Sequence, residues 1–393
     1  MRLIRTIERL NPYGTLAVTF LIIGVVTTFL PTEPLKDERF YFPLIKVFGE
    51  SYLSPIHSIK TMNQSMGPLY FIFYGFIGQF TEYSITVLRN VNVFISFLTV
   101  VALFKILTKF SRHPLCLTLW FTINPYFLFL TTPLLYTDNL CMFFVLLGMY
   151  FYLVQRNIFV SGLLWALALW TRQTAIIIPL AALLTEFYIS RGKISLKLFN
   201  LGMTTLPFLA FIILIVLWDF NLTSPNTVHK VNSISTFDFS LKKLTYAILL
   251  SGVYSAPLWL PRIREIMKHP ALYIAVASTL LLFIDFPRVI NKDGYLGVWT
   301  SGIFDKLLVW LDGFAFVLVP LIWIPSFAFF LLLAISTTKS RANLFSILTV
   351  LLFFMFQAIY TYSWDKYFIL IIPALLIAGS GIINLPGNSV KSR

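Results

Sequence analysis

Acidic side chains are scarce in this sequence: 16 Asp and Glu among 393 residues, with only 12% of positions charged. A soluble domain carries about 25% charged residues, so an ordinary water-soluble globule is excluded. Cysteine is nearly absent. Cys116 and Cys141 both fall in apolar segments, which excludes a disulfide framework. Four histidines, with no His/Cys/Asp cluster at ligand spacing, argue against a protein-held zinc. A magnesium or manganese ion held by carboxylates stays open. There is no Walker loop and no GxGxxG, hence no nucleotide-binding domain. Internal repeats, low-complexity tracts and a soluble domain are missing too; the long polar segments are the outer loops at 32–65, 220–243 and 287–306.

What is present is apolar. Hydrophobic residues make up 58% of the chain, and 40 of its residues are Phe. The net charge of +14 reflects Lys and Arg retained on the cytoplasmic side of a membrane, not nucleic-acid binding. A span needs about 20 apolar residues. By that measure spans fall near 14–31, 86–104, 114–132, 139–155, 158–171, 174–189, 200–219, 244–260, 271–286, 307–335, 343–362 and 368–385. The expectation is an all-α polytopic protein of about 12 transmembrane helices, one integral membrane domain over 1–393. The two short segments 158–171 and 174–189 could form one bent helix, with Pro179 as the kink. The first 30 residues read as an uncleaved signal anchor.

The stretch Met66 to Phe80 is short and holds Gly67, Pro68, Gly75 and Gly78. If it does not cross, the basic loops all fall on one side, from Arg2/Arg5/Arg9 through Lys105/Lys109/Arg112 and Arg262/Arg264/Lys268 to Lys391/Arg393. That side is then cytoplasmic. The stretch is therefore expected to be re-entrant or interfacial, within a first outer loop over 32–85.

This sorting, made from Lys and Arg, also gathers the remaining polar residues on the outer face. Asp37 and Glu38 open the first outer loop, and Asp37 is the candidate general base, with Glu38 as its alternate. On a helix the two point about 100° apart, so only one faces a given substrate. Tyr136 and Asp138 stand at the outer start of a span, where helix capping alone also explains an aspartate. Arg172 and Gln173 break an apolar region. An arginine there requires an anionic partner, either a phosphate or Asp138. His229 lies in a later outer loop, and Lys366 precedes the last span as a phosphate contact or an interface anchor.

In this order the residues resemble a GT-C glycosyltransferase, the polytopic class that uses polyprenyl-phosphate sugars. They are most similar to the dolichyl-phosphate-glucose dependent α-1,2-glucosyltransferases of N-glycan precursor assembly. A D-E-x-F-x-x-P motif is matched by Asp37, Glu38, Phe40 and Pro43. Met66-Gly67-Pro68-Leu69-Tyr70 echoes P-G-L-Y. Pro133, Leu134, Tyr136, Thr137 and Asp138 match P-L-Y-Y-T-D, and Arg172, Gln173, Thr174 and Ile176 match R-Q-T-N-I. The resemblance implies an inverting transfer of a hexose, glucose favoured, from a polyprenyl- or dolichyl-phosphate carrier to a glycan or lipid-linked acceptor. In that scheme Asp37 takes the acceptor proton, while Arg172 and Lys366 hold the carrier phosphate without a cofactor. The implied location is a bacterial inner membrane or endoplasmic reticulum membrane, with the site on the periplasmic or luminal side. The rival class is a transporter or flippase of a lipid-linked sugar, which internal repeats and midplane polar residues would favour.

Overall fold

The computed structural model describes residues 2–189, 194–222, 224, 226, 239, 241–284, 312–336, 340–359 and 368–382. Among these every regular element is helical, as the composition requires. In lipid the helix satisfies each backbone polar group within its own segment. The chain is a multi-pass membrane protein in the coarse sense. Among the described residues, five helices are long and apolar enough to cross a bilayer: Ile85–Phe110, Thr137–Gln155, Asn200–Leu217, Val317–Ile335 and Arg341–Ile359. A sixth span arises if Lys243–Tyr254 and Ala256–Ile266, bent by 61°, count as one. The other apolar helices, Pro12–Thr28, Leu69–Phe80, Ile158–Thr171, Gln173–Ile189 and Ala271–Leu282, are shorter. At 1.5 Å per residue, 17 residues reach about 25 Å, less than the roughly 30 Å hydrocarbon core.

Where the sequence reading takes one domain, the described contacts form two compact units. The first comprises Met1–Ile106 and Thr118–Thr236, and the second Leu107–Leu117 and Phe237–Arg393.

In the first unit, α1 (Arg2–Glu8) precedes α2 (Pro12–Thr28), whose N-cap Asn11 accepts from the Gly14 N–H at 3.0 Å. The first loop contains α3 (Glu38–Glu50), α4 (Pro55–Thr61) and α5 (Leu69–Phe80). Then come α6 (Ile85–Phe110, in this unit as far as Ile106) and α7 (Pro114–Thr122, in this unit from Thr118), α8 (Thr137–Tyr150) with a π turn over Phe151–Gln155, and α9 (Ile158–Thr171). A 3-10 turn over Gln173–Ile176 leads to α10 (Ile177–Ile189), and α11 (Ile194–Leu217) follows.

Helices α2 and α6 run antiparallel, with Tyr13 edge-on to Phe104 at 5.7 Å and Phe20 to Phe97 at 5.8 Å. Helices α3 and α5 run side by side in the same direction. Tyr41 meets Tyr70 at the start of the pair, and Gln79 donates to the Gly49 carbonyl at its end. Between those points the backbones touch: a Cβ on Gly75 would lie 2.6 Å from the Gly49 nitrogen and 2.8 Å from the Ile45 oxygen. Only glycine allows that approach. One face of α3 (Glu38, Tyr41, Ile45, Phe48, Gly49) is buried, while Arg39, Phe40, Lys46 and Val47 are exposed. A loop helix that is apolar inside and mixed outside suits a membrane interface.

The expected kink at Pro179 lies elsewhere. Pro179 sits in the first turn of α10, where its missing N–H breaks no helical bond. The break falls at Arg172, whose extended backbone (φ −150°, ψ 125°) ends α9.

In the second unit the described helices are α12 (Leu241–Tyr254), α13 (Ala256–Trp259), α14 (Ile263–Ile266), α15 (Ala271–Ser278), α16 (Leu280–Ile284), α17 (Asp312–Ser336), α18 (Arg341–Ile359) and α19 (Ile372–Ile382). Phe368 is central to its core, edge-on to Phe353 at 5.0 Å and to Tyr246 at 6.3 Å.

Candidate functional site

The site grows from a turn. Lys36 adopts the left-handed region (φ 49°) and swings the chain into α3, so that Asp37 and Glu38 open that helix. The two carboxylates then part company. Glu38 is fully buried and pairs with Arg89 of α6: Nε donates to Oε1 at 3.0 Å and Nη2 to Oε2 at 2.5 Å. Two main-chain amides add to it, Leu35 N–H on Oε2 and Leu135 N–H on Oε1, both at 2.8 Å. Arg89 in turn donates to the carbonyls of Pro31 (2.6 Å) and Glu33 (3.0 Å). With four donors on two oxygens, Glu38 is a structural tie between the first loop, α6 and the strap before α8. That geometry gives it no spare oxygen for exchanging roles with Asp37.

Asp37 is half-buried and makes no side-chain capping bond to α3. Its main chain lies within hydrogen-bonding reach of the Tyr136 phenol. Tyr136 is the N-cap residue of α8, held extended (φ −102°, ψ 136°), and its ring is edge-on to Tyr41 at 6.3 Å and Tyr126 at 6.4 Å. Tyr41 lies within electrostatic reach of Asp37, Arg172, Asp138 and Tyr136 together. Burial, then the nearby Asp37 carboxylate, holds the phenols of Tyr41 and Tyr136 above their ordinary range. Both are hydrogen-bond donors at neutral pH.

Asp138 and Arg172 face each other across the α8–α9 hairpin, whose turn carries Arg156 in the left-handed region. Arg172 Nη1 lies 2.5 Å from Asp138 Oδ2, with the two side chains 6% and 5% exposed, and the same Nη1 donates to Thr137 Oγ1 at 3.2 Å. Of the two anions expected for Arg172, the protein itself supplies Asp138. Desolvation makes such a pair costly to break from one side.

The loop between α4 and α5 docks onto the break at Arg172. Gly67 N–H donates to the Thr171 carbonyl at 3.1 Å, and a Cβ on Gly67 would sit 2.0 Å from the Trp170 oxygen. Met66-Gly67-Pro68-Leu69-Tyr70 thus touches the backbone of Trp170-Thr171, immediately before Arg172. Around them Tyr70 Oη, Thr132 Oγ1, Asn139 Oδ1, Gln173 Nε2 and Thr174 Oγ1 are buried with no hydrogen-bond partner among the described residues.

The structure therefore brings together Asp37, Tyr136, Asp138, Arg172 and Gln173. His229 and Lys366 lie outside the described residues. Sequence reasoning missed Arg89 and Asn92, one helical turn apart on α6. Asn92 accepts from the Tyr74 phenol at 2.6 Å and donates to the Thr131, Thr132 and Leu134 carbonyls, which fixes the strap before Tyr136. A signal was present. Arg89-Asn90-Val91-Asn92 is a polar run inside an apolar span, and an intramembrane arginine calls for an acid. Among the described residues no three His, Cys, Asp or Glu side chains gather as metal ligands.

No family model, curated protein or solved structure matches this chain.

Proposed function

We propose that the chain is an inverting membrane glycosyltransferase. It moves a hexose, glucose favoured, from a polyprenyl-phosphate carrier to a glycan or lipid-linked acceptor. The observation that carries this reading is the grouping of one half-buried aspartate with two buried tyrosines, Tyr41 and Tyr136, and the half-buried Tyr126, beside an internally neutralised Asp138–Arg172 pair.

Each part has a chemical use. Asp37 accepts the proton of the attacking hydroxyl. Neutral phenols and unused buried polar atoms, Tyr70 Oη, Asn139 Oδ1 and Gln173 Nε2 among them, suit a ligand rich in hydroxyls. Arg172, tied to Asp138, orients the wall of the site. The departing phosphate is a fair leaving group, so positioning and charge stabilisation carry the step. The glycosidase pattern of two working carboxylates is not needed. On this reading the site faces the periplasm or the lumen.

The test is Asp37→Asn in membranes supplied with polyprenyl-phosphate hexoses. Sugar release from the carrier should fall by at least about a hundredfold, the scale of a general base, with unchanged protein level. Retained transfer would remove Asp37 from the mechanism. Movement of an intact lipid-linked sugar across vesicles, without transfer, would favour a transporter.

A further inference from the structure

The second unit holds a small cleft at the end that carries the basic segment Arg262/Arg264/Lys268. It encloses about 90 Å³, and Leu258, Ile266, Phe329 and Leu332 line it with Gly379. A Cβ on Gly379 would come 2.4 Å from Leu258 Cδ1 and 3.1 Å from Phe329 Cζ, so the apolar wall is tight. The polar lining is Arg262, Glu265 and His269. Arg262 is half-buried, and Arg112 lies within its electrostatic reach. His269 Nδ1 accepts from the Ala271 N–H at 3.1 Å, which makes Nε2 the donating nitrogen of the neutral ring.

Charge and shape point to one ligand class. Glu265 and Arg112 lie within electrostatic reach of Arg262, and Arg264 and Lys268 are exposed on the same segment. A phosphate or a short run of methylenes fits. Beside it Leu260, Met267, Tyr273 and Ile274 are exposed apolar side chains, as on a lipid-facing surface. A free anion would gain nothing from the four apolar wall residues, whereas a lipid uses both halves. We propose that this cleft binds an anionic membrane phospholipid, its phosphate at Arg262 and His269 and part of an acyl chain against Leu258, Ile266, Phe329 and Leu332. The site is independent of the transfer reaction.

The full chain, purified in detergent, is mixed with equimolar phosphatidylglycerol and phosphatidylcholine, and retained lipid is read by native mass spectrometry. Phosphatidylglycerol adducts should dominate. Arg262→Gln should lower them about fivefold, the value of one cation near an anionic headgroup. Leu332→Trp, which fills the apolar wall, should lower them while leaving the thermal transition in place, and the exposed Arg264→Gln should change them least. Equal retention of both lipids by the wild type overturns the proposal, as does wild-type preference in Leu332→Trp or in a folded Arg262→Gln. Should Arg262→Gln fail to fold, Leu332→Trp decides. Displacement of the lipid by millimolar inorganic phosphate would instead make this a free-anion site and overturn it.

Discussion

Arg89 and Glu38, 51 residues apart, form a fully buried fork with contacts of 3.0 and 2.5 Å. The pair does more than neutralise itself. Through Pro31, Glu33, Leu35 and Leu135 it fixes the main chain just before Asp37 and next to Tyr136. Removing one partner strands a buried charge, which costs about 3–5 kcal/mol. Arg89→Met should therefore lower the thermal transition of detergent-purified protein strongly. Arg89→Met with Glu38→Leu should recover part of that loss, because neither charge is left alone. Additive losses would show that the pair is not coupled.

The Asp138–Arg172 contact gives a second cycle. Asp138→Asn leaves the buried Arg172 guanidinium without its carboxylate, Nη1 still donating to Thr137 Oγ1 at 3.2 Å. Destabilisation of a few kcal/mol is expected. Arg172→Gln in the same chain should restore stability but not sugar transfer, because the wall of the site has still lost its shape. Recovery of both by the double variant would make the pair purely structural.

Gly75 is a steric test of the α3–α5 contact. Its substituent would meet backbone atoms of Gly49 and Ile45 at 2.6 and 2.8 Å, and backbone cannot rotate away. Gly75→Ala should cost about 1–3 kcal/mol, the usual range for overpacking. A smaller change, at Gly202, where nothing lies within 4 Å, serves as the control. Equal effects at the two sites would contradict the crossing.

The two raised phenols set a pH response. Their unfolded value is near 10.0, and the folded value lies higher. Between the two, the folded chain holds more protons than the unfolded one, so stability falls as pH rises through that window. Below about pH 9 these groups contribute a constant amount. The alkaline loss of thermal stability should shrink in Tyr41→Phe/Tyr136→Phe, measured by melting scans from pH 7 to 11. An unchanged alkaline limb would place the loss on other groups.

Much of the site could be read along the chain. Arg172 interrupts an apolar region and Asp138 opens a span, and each departs from its neighbours enough to stand out. The relation between Asp37 and Glu38 could not be read. They are adjacent, both acidic and both at the start of one helix, yet one is buried on Arg89 and the other is half-buried near Tyr136. The helical angle between neighbours predicts that they diverge, but not which one turns inward. Nor does the sequence distinguish a break at Arg172 from one at Pro179, because proline in a first turn looks the same in sequence as proline in a kink.

The sequence by itself determined the solvent. With 58% hydrophobic and 12% charged residues the chain must be helical and in lipid, since those totals are local sums that no packing can change. Only the tertiary structure decided the partners. The acid that Arg89 meets, the amide 97 residues from Glu38 that completes its shell, and the glycine that seats the loop on Thr171 are long-range choices. In a medium of low polarity each buried charge must find its counterpart, and folding alone sets which one comes within reach.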